Sequence, residues 1–488
     1  MRAETRLRPR LLAAVLACLC LSAPGLAPSG ARRADAAETT PAQSRPNARA
    51  ARVLVVSIDG LDARYLRDAD RHGLKIPTLR RLMAAGAWSR AGVVGVYPSV
   101  TYPSHTTLVT GARPSRHGVY GNGVFEPPPK RQTGAWYWFA RDIKADTLWQ
   151  AAARRGLKTA LVSWPVSTGA GDWNVPEIWQ PGGTQEESRA RMSEHARPAG
   201  LLEEVARADA RLYGAVTRDE GDDMRTRFAE YLLAEKRPRV ALVHLFDLDH
   251  FEHDYGPFTA EAFALLEKSD AYLARILAAA ERAGTLAETA VFVVSDHGFR
   301  PVTKAFYPNV ALERAGLLKW REERDARGAT RRVVGEWRAV AYTSAAYAAV
   351  ILKDPNDRDA LRRALAAFRD YEPVGGDGGG PGVLRVVGRA ELNRLGADPR
   401  AAFTLDPTEG FTFEGGHAAD VVADTKSRGQ HGHLPGPADF RASFVASGAG
   451  VARRGDLGEV RMIDIGPTIA RTLGLSLRDA EGRPLRLR

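Results

Sequence analysis

Val53-Leu-Val-Val-Ser-Ile-Asp59-Gly60 is the stretch that decides the fold, a continuous apolar run closed by an acidic residue and a glycine. Such a run is typical of a parallel strand, because both faces of that strand are covered by other elements. Residues at the carboxyl ends of parallel strands form the active-site edge of open α/β sheets. The stretch therefore predicts a parallel sheet with Asp59 at its functional edge.

Further strands and helices alternate outward from this first strand. Apolar runs predict strands at 158–163, 240–246, 289–295 and 442–447. Amphipathic patterns predict helices at 77–86, 146–156, 261–283 and 467–474. Asp146 is the expected N-cap of the second helix. Alternation at these lengths is typical of an α/β fold with a mostly parallel central sheet and helices on both faces.

The 488 residues divide into four predicted parts. Residues 1–36 resemble a signal peptide, with basic residues, a short apolar run and the cleavage site Ala34-Asp35-Ala36. Residues 37–50 are polar and small, which predicts a disordered linker. The other two parts are the core and an inserted cap-like subdomain, expected at 51–300 with 429–488 and at 301–428.

The signal peptide predicts an exported protein, periplasmic or secreted, with no transmembrane span once the peptide is removed. Cys18 and Cys20 are the only cysteines and lie inside it, so the mature chain would have no disulfide and no thiolate ligand. A lipid anchor on Cys18 is the alternative, although Leu16 fits an acylation site poorly.

The formal charge of +11 indicates attraction to anionic substrates or surfaces. The positive residues are spread along the chain and form no dense Lys/Arg runs. Dedicated nucleic-acid binding is therefore the weaker interpretation, and a small-molecule phosphate ester is the expected partner.

Tyr97-Pro-Ser-Val-Thr-Tyr-Pro-Ser-His-Thr-Thr-Leu-Val-Thr-Gly111 has the pattern of a nucleophile turn. Two X-Pro pairs bend the chain around Thr101. Ser104 is expected to cap a helix that runs on from His105 and stops at Gly111. The positive end of a helix dipole suits both an attacking oxyanion and a bound phosphate.

Acidic and histidine residues cluster at four other places, three of them directly after predicted strands. Because those strand ends meet at one edge, we expect the clusters to meet there too. Asp and His are ligands suited to Zn²⁺ and related divalent ions. Asp249 and His253 are four apart, so one helical turn would present both to one ion. The clusters are Asp59, Asp247 to His253, Asp296-His297 and His431-Gly-His433.

Four other histidines are expected to be structural or solvated: His105, His117, His244 and His250.

Pro98-Ser-Val-Thr-Tyr-Pro-Ser-His105 resembles the nucleophile motif of the nucleotide pyrophosphatase/phosphodiesterase family, in the alkaline phosphatase superfamily. Asp249 to His253 followed by Tyr255-Gly-Pro257 resembles a ligand motif of that family, as do Asp296-His297-Gly298 and His431-Gly432. The resemblance extends from Val53 to the closing helix.

The resemblance implies that Thr101 is the nucleophile and that Asn122 hydrogen-bonds a phosphate oxygen. It implies two divalent metal ions, with Zn²⁺ expected. One ion would be held by Asp59, Thr101, Asp296 and His297. The other would be held by Asp249, His253 and His431.

The chain departs from the family pattern at several positions. Asp247 replaces a commoner glutamate, Glu252 stands where glycine is usual, and Val166 replaces the glycine of a Trp-Pro-Gly motif. His433 is an alternative to His431 as the last ligand, although the His-Gly order favours His431.

The predicted function is metal-dependent hydrolysis of phosphodiester or pyrophosphate bonds in nucleotide-type substrates, through a phosphothreonine intermediate. Tyr102, beside the nucleophile, is a candidate for stacking on a nucleobase, with simple packing as the alternative; Trp173 and Trp179 are further candidates. Two alternatives stay open. One is a phosphomonoesterase or phosphonate (phosphonoacetate-type) hydrolase of the same superfamily, and the other is a non-catalytic exported anion-binding protein.

Overall fold

The computed structural model describes residues 50–128, 135–213, 221–324, 330–374 and 377–488, which contain both helices and strands. The predicted signal peptide, nearly all of the predicted linker and both cysteines lie outside these residues. The α-helices are α1 Ala63–Arg67, α2 Pro77–Ala85, α3 Thr101–Thr110, α4 Pro114–His117, α5 Leu148–Ala153, α6 Gln185–His195, α7 Leu201–Ala208, α8 Gly221–Tyr231, α9 Asp247–Tyr255, α10 Ala260–Arg282, α11 Pro308–Arg314, α12 Arg358–Arg369, α13 Arg389–Leu395 and α14 Ile465–Thr472.

The strands vary from two to eight residues in length. They are β1 Arg52–Ile58, β2 Ala87–Trp88, β3 Val93–Val94, β4 Thr159–Val162, β5 Trp173–Val175, β6 Val240–Leu245, β7 Thr289–Val294, β8 Arg300–Phe306, β9 Leu318–Arg324, β10 Thr330–Trp337, β11 Ala339–Ser344, β12 Tyr347–Leu352, β13 Pro373–Val374, β14 Asp377–Pro381, β15 Leu384–Val387, β16 Phe403–Pro407, β17 Gly410–Phe413, β18 Val422–Asp424, β19 Gly429–Gln430, β20 Phe444–Gly448, β21 Gly455–Asp456 and β22 Val460–Arg461.

An eight-stranded sheet forms the centre, in the order β21-β2-β20-β7-β1-β6-β4-β5. Strands β7, β1, β6, β4 and β5 are parallel, and β20 runs antiparallel to β7. Val55 of β1 pairs with Leu242 on one side and Phe292 on the other. The prediction of a mostly parallel central sheet built around the first strand is confirmed.

Both faces of this sheet are covered by helices, as predicted. Leu54, Val56 and Ile58 of β1 belong to an apolar cluster shared with α2, α8 and α10. Val53 and Val55 belong to a second cluster shared with α3, α5 and α14. Because successive side chains of a strand point to opposite faces, an uninterrupted apolar run is what a strand between two helical layers requires.

Residues 301–428 build a different kind of structure. A four-stranded antiparallel sheet, ordered β11-β12-β16-β15, packs with α11 and α12 around a third apolar cluster that includes Tyr347, Phe368 and Leu405. The division of the chain into a core and an inserted subdomain stays a prediction.

Two expected helix starts are wrong. Helix α3 begins at Thr101, with Val100 as its N-cap, so Ser104 lies in its first turn. Pro103 does not delay the helix, because a first-turn residue needs no backbone N–H donor. Helix α5 is capped by Thr147 and not by Asp146; the Thr147 hydroxyl accepts from the N–H of Gln150.

Within the described ranges, no helix combines the length and apolar character needed to cross a bilayer.

Candidate metal and phosphate site

Three acidic residues meet at the carboxyl edge of the central sheet. Asp59 directly follows β1, Asp249 lies in the first turn of α9 just after β6, and Asp296 lies two residues after β7. Since β7, β1 and β6 are adjacent and parallel, their ends lie side by side. The acids that follow apolar strands in the sequence therefore lie together at this edge, as expected.

His297 lies at the centre of the cluster. Its Nε2 atom is 3.2 Å from Asp59 Oδ1, 3.1 Å from Asp296 Oδ2 and 4.0 Å from Asp249 Oδ1. Asp59, Asp296 and His297 form one group able to hold a metal ion, with ligand atoms all within 4.8 Å of one another. The structure thus brings together the three strand-end residues expected at the first ion.

Asp249, His253 and His431 form the neighbouring part of the cluster. Asp249 Oδ1 is 3.5 Å from His253 Nε2, one helical turn away in α9, and 3.7 Å from His431 Nε2. His253 Nδ1 donates to the carbonyl of Gly429 and His431 Nδ1 to that of Ser99. These bonds hold both rings with Nε2 facing Asp249, which is how proteins orient metal-binding imidazoles.

His297 also reaches this second part. Its ring stacks on that of His431, with centroids 3.6 Å apart and planes 7° apart. Asp249, His297 and His431 form a further group able to hold an ion. The geometry therefore associates His297 with both halves of the cluster, whereas the expected ligand sets associate it with one.

The donor atoms of the cluster fit divalent metal ions. Among the described residues, several of its fully buried atoms have no hydrogen-bond partner, an arrangement that costs free energy unless something else binds them. Two ligands of one tetrahedral zinc ion lie roughly 3.3 Å apart, which is close to the spacings found here. The unpartnered atoms are Asp59 Oδ1, Asp249 Oδ1, Asp296 Oδ2 and both ring nitrogens of His297.

The electrostatics of the cluster favour positive charge among its carboxylates. Burial, followed by repulsion from Asp296 and Asp249, raises the pKa of Asp59 well above its usual value. Burial alone would lower the pKa of His297, but the carboxylates of Asp296 and Asp59 raise it to about 9. The surrounding carboxylates therefore stabilise a proton on His297, and they would stabilise a bound metal cation for the same reason.

Thr101 is the first residue of α3, where backbone N–H groups and the helix dipole favour an anion. The Oδ1 atom of Asn122 accepts from the N–H of Tyr102, at 2.9 Å. This bond leaves the Nδ2 group of Asn122 as a donor beside Thr101 in the same cavity. The arrangement offers a hydroxyl, a helix start and an amide donor to one phosphate group.

His431 and His433 have different surroundings. His431 belongs to the cluster, whereas the ring of His433 packs against that of Phe440, with centroids 5.2 Å apart. Burial lowers the pKa of His433 to about 3, with Arg300 contributing. Of the two histidines that the sequence left open, His431 is the one that faces Asp249.

A cavity of about 570 Å³ opens beside Thr101 and the cluster. Its outer wall is largely aromatic and apolar, including Trp136, Ile178, Trp179 and Phe246. Tyr102 has no exposed surface: its ring packs edge-on against Trp136 and its hydroxyl bonds Glu177. The ring therefore has no free face for stacking, and Trp136 and Trp179 are better placed for that role. Trp173 lies in β5, outside this lining.

Glu252 is a buried carboxyl group behind the cluster. Its Oε1 atom accepts from the Tyr65 hydroxyl at 2.7 Å. Burial, opposed by that hydrogen bond and reinforced by the charge of Asp249, raises the pKa of Glu252 well above its usual value. Gly60 is required opposite it, because a Cβ there would lie 2.6 Å from Glu252 Oε2.

Two residues linked to Asp59 were missed by sequence reasoning: His244, which contacts it, and Glu177, which contacts His244. His244, expected to be structural or solvated, is buried with Nε2 2.9 Å from Asp59 Oδ2 and Nδ1 3.0 Å from Glu177 Oε2. Burial opposes its protonation, but the hydrogen bonds with Asp59 and Glu177 raise its pKa to about 10. In the sequence, His244 is the one polar residue of the apolar run Val240–Leu245, next to the end of the strand, which was the available signal. Glu177 had none.

Of the other three histidines, His105 lies beside the cluster: it forms with Asp59 and His244 another group able to hold a metal ion, and its Nδ1 atom is 3.6 Å from Asp296 Oδ2. His105 and His117 are buried, and His105 Nδ1 donates to the carbonyl of Thr101 while its ring lies 4.4 Å from that of His244. His250 lines the cavity.

Residues 53–375 match the family described as type I phosphodiesterase / nucleotide pyrophosphatase. Ectonucleotide pyrophosphatase/phosphodiesterase family member 1 of Homo sapiens is 22% identical over 254 residues, which cover 50% of this chain and 23% of the relative. An uncharacterised pyrophosphatase/phosphodiesterase of Schizosaccharomyces pombe is 22% identical over 263 residues, covering 51% of this chain and 45% of the relative. The match thus spans less than half the length of these curated relatives.

Solved structures show the same fold. Murine ectonucleotide pyrophosphatase/phosphodiesterase 5 superimposes with a TM-score of 0.60 at 18% identity, covering 87% of this chain and 95% of that one. An inactive threonine-to-alanine form of that protein in complex with AMP superimposes with a TM-score of 0.58 at 17% identity and the same coverage. With the family match extending over more than half of its length, this chain belongs to the type I phosphodiesterase / nucleotide pyrophosphatase family.

Proposed function

We propose that this protein hydrolyses phosphodiester or pyrophosphate bonds of nucleotide-type substrates, using two divalent ions and a phosphothreonine intermediate. The observation that carries the proposal is the convergence of unpartnered, buried carboxylate and imidazole atoms beside Thr101 at a helix start. Family membership supports hydrolase chemistry, and the AMP complex of a structural neighbour supports a nucleotide-type substrate.

The ligand sets follow the two halves of the cluster. Zn²⁺ is the expected metal because the donors are carboxylate oxygens and imidazole nitrogens. When bound, divalent ions polarise phosphoryl oxygens, lower the pKa of a nearby hydroxyl and neutralise developing negative charge. Asp59, Thr101, Asp296 and His297 would hold one ion, and Asp249, His253 and His431 the other.

The protein's own groups carry the covalent steps. The Oγ1 atom of Thr101 attacks phosphorus, a new P–O bond forms, and the bond to the leaving oxygen breaks. Water then attacks the phosphothreonine, which releases the phosphate product and restores the hydroxyl. The start of α3 and the Nδ2 group of Asn122 hold non-bridging oxygens as charge develops on them. The substrate's flat or apolar substituent lies against Trp136 and Trp179.

We further propose that the protein is exported, since residues 1–36 have the pattern of a signal peptide. The names of the relatives are consistent with this location, because they include ectoenzymes and a venom phosphodiesterase of Crotalus adamanteus.

The test is a substrate panel assayed with and without a chelator. We expect bis-p-nitrophenyl phosphate to be cleaved faster than p-nitrophenyl phosphate, a chelator to abolish the activity, and added Zn²⁺ to restore it. Faster monoester cleavage would reassign the chain to phosphomonoesterases, and turnover of phosphonoacetate to phosphonate hydrolases. Purified protein without bound divalent metal and without hydrolysis would support the non-catalytic alternative.

A further inference from the structure

His244 connects two carboxylates that are far apart in the sequence. It lies on β6 with only 1% of its surface exposed. Its Nε2 atom is 2.9 Å from Asp59 Oδ2, and its Nδ1 atom is 3.0 Å from both Glu177 Oε2 and the carbonyl of Ser163. The ring therefore stands between the metal cluster and the wall of the cavity.

Each nitrogen of this ring faces only oxygens that accept hydrogen bonds. When Asp59 is ionised, as a carboxylate that binds a cation is, carboxylate and carbonyl oxygens cannot donate, so each hydrogen bond requires an N–H on the imidazole. Consequently His244 donates to Asp59 on one side and to Glu177 or Ser163 on the other. A residue with a single donor, or with none, could not replace it without leaving a buried acceptor unsatisfied.

The hydrogen bond with His244 places the two carboxylate oxygens of Asp59 in different surroundings. Oδ2 is held by His244, whereas Oδ1 has no hydrogen-bond partner among the described residues and lies 3.2 Å from His297 Nε2. A carboxylate fixed through one oxygen presents the other in a single direction. The direction in which Oδ1 points is therefore set by a side chain that belongs to neither expected ligand set.

Glu177 holds the other end of the arrangement. Its Oε2 atom accepts from His244, and its Oε1 atom accepts from the hydroxyl of Tyr102 at 2.8 Å. Tyr102 follows Thr101, and its N–H binds Asn122. A continuous chain of hydrogen bonds thus runs from Asp59 through His244 and Glu177 to the first turn of the nucleophile helix.

We propose that His244 is a positioning residue for Asp59, which directs Oδ1 toward the ion of the Asp59, Asp296 and His297 set, and that Glu177 anchors His244. The inference rests on the proposed metal site, and it assigns a function to two residues outside both ligand sets. Removing the hydrogen-bond partner of a metal ligand typically lowers the metal affinity 10–100-fold.

The experiment titrates metal-free protein with Zn²⁺ against a chromophoric chelator, for the wild type and for His244→Phe. The wild type is expected to bind two ions. In His244→Phe the affinity of one ion is expected to fall about 10–100-fold while that of the other is unchanged. His244→Gln, which keeps one amide donor, is expected to recover part of the loss, and Glu177→Gln to show a smaller loss than His244→Phe.

His117→Phe is the matched control. His117 is equally buried, but its ring contacts Thr107 Oγ1 and the N–H of Val119 instead of a carboxylate. It is expected to keep both metal affinities, whatever its effect on the melting temperature.

The outcomes separate the two proposals. Unchanged affinities in a folded His244→Phe protein would overturn the positioning role while leaving the metal site intact. Equal weakening of both ions, or the same weakening in His117→Phe, would also overturn it, because the effect would then be one of folding. A wild type that takes up no divalent metal would overturn the proposed function, and the positioning role with it.

Discussion

The edge of the central sheet and the antiparallel sheet of residues 301–428 contribute to the site in different ways. At the edge, the side chains of Asp59, Asp249 and Asp296 themselves form the cluster. The second region contacts two loops that carry site residues, through the side chain of Tyr342 and the backbone of Ala346. The difference teaches that one region supplies the side chains of the cluster, while the other holds the loops that carry Asn122 and His431.

Two contacts from the β11–β12 hairpin define this support. The hydroxyl of Tyr342 donates to the carbonyl of Gly123 at 2.5 Å, next to Asn122. The N–H of Ala346 donates to the carbonyl of His431 at 2.8 Å. Both approaches are close: a Cβ on Gly121 would lie 2.4 Å from the Tyr342 hydroxyl, and a Cβ on Gly432 would lie 3.1 Å from the Ala346 nitrogen. One hairpin thus braces both sides of the candidate site.

The largest effect is expected from Thr101→Ala, which removes the proposed nucleophile. Hydrolysis should fall by roughly 10⁴-fold or more, as is typical when a nucleophile is deleted. Steady-state assay of bis-p-nitrophenyl phosphate measures this loss, with circular dichroism to confirm folding. Thr101→Ser, which keeps a hydroxyl, should retain far more activity. Equal activity in Thr101→Ala and the wild type would exclude the phosphothreonine.

The next largest effect is expected from His431→Ala, which is compared with His433→Ala. His431→Ala removes a proposed metal ligand. It should lower the rate roughly 10³-fold, which corresponds to about 4 kcal/mol of transition-state stabilisation. His433→Ala removes a ring packed on Phe440 and should lower the melting temperature with little change in kcat. Metal content and kcat should be measured for both variants; the reverse pattern would make His433 the ligand.

A smaller loss is expected for Asn122→Ala, which removes a donor to the phosphate. Deleting one such donor typically costs about 10²–10³-fold in kcat. The expected value lies at the lower end, because the start of α3 still provides backbone donors. The kcat and KM values separate the cases: a change confined to KM would mean that Asn122 binds the substrate and its transition state equally.

The smallest effect is expected for Tyr342→Phe, which tests the supporting region. The variant loses one hydrogen bond, typically 0.5–1.5 kcal/mol, so kcat should fall about tenfold or less. The double variant with Asn122→Ala should show little additional loss, because both changes act through the same loop. A loss as large as that of Asn122→Ala alone would make the second region a direct part of the catalytic machinery.

Local sequence patterns were sufficient to predict the fold and most residues of the cluster. Strand-forming runs and the acids after them can be recognised within a few residues, and parallel strands necessarily bring those acids to one edge. Helix starts were less predictable. At α5 both Asp146 and Thr147 are capping residue types, and the ion pair of Asp146 with Arg154 decides between them.

Val166 shows how tertiary packing can override a local rule. It stands where the related motif has glycine and adopts a positive φ of 56°, which favours glycine. A left-handed conformation costs an L-residue about 1–2 kcal/mol. The side chain is 1% exposed and packs with Tyr102 and Ile178, which offsets that cost.

By itself, the sequence determined the parallel sheet and the strand-end residues Asp59, Asp249 and Asp296, because each depends on a short and local pattern. Only the tertiary structure decided that His431 and not His433 faces Asp249, and that His244 and Glu177 extend from Asp59 to the cavity wall. These pairings join residues far apart in the chain. Strand register and loop path bring them into contact, and no local pattern encodes either.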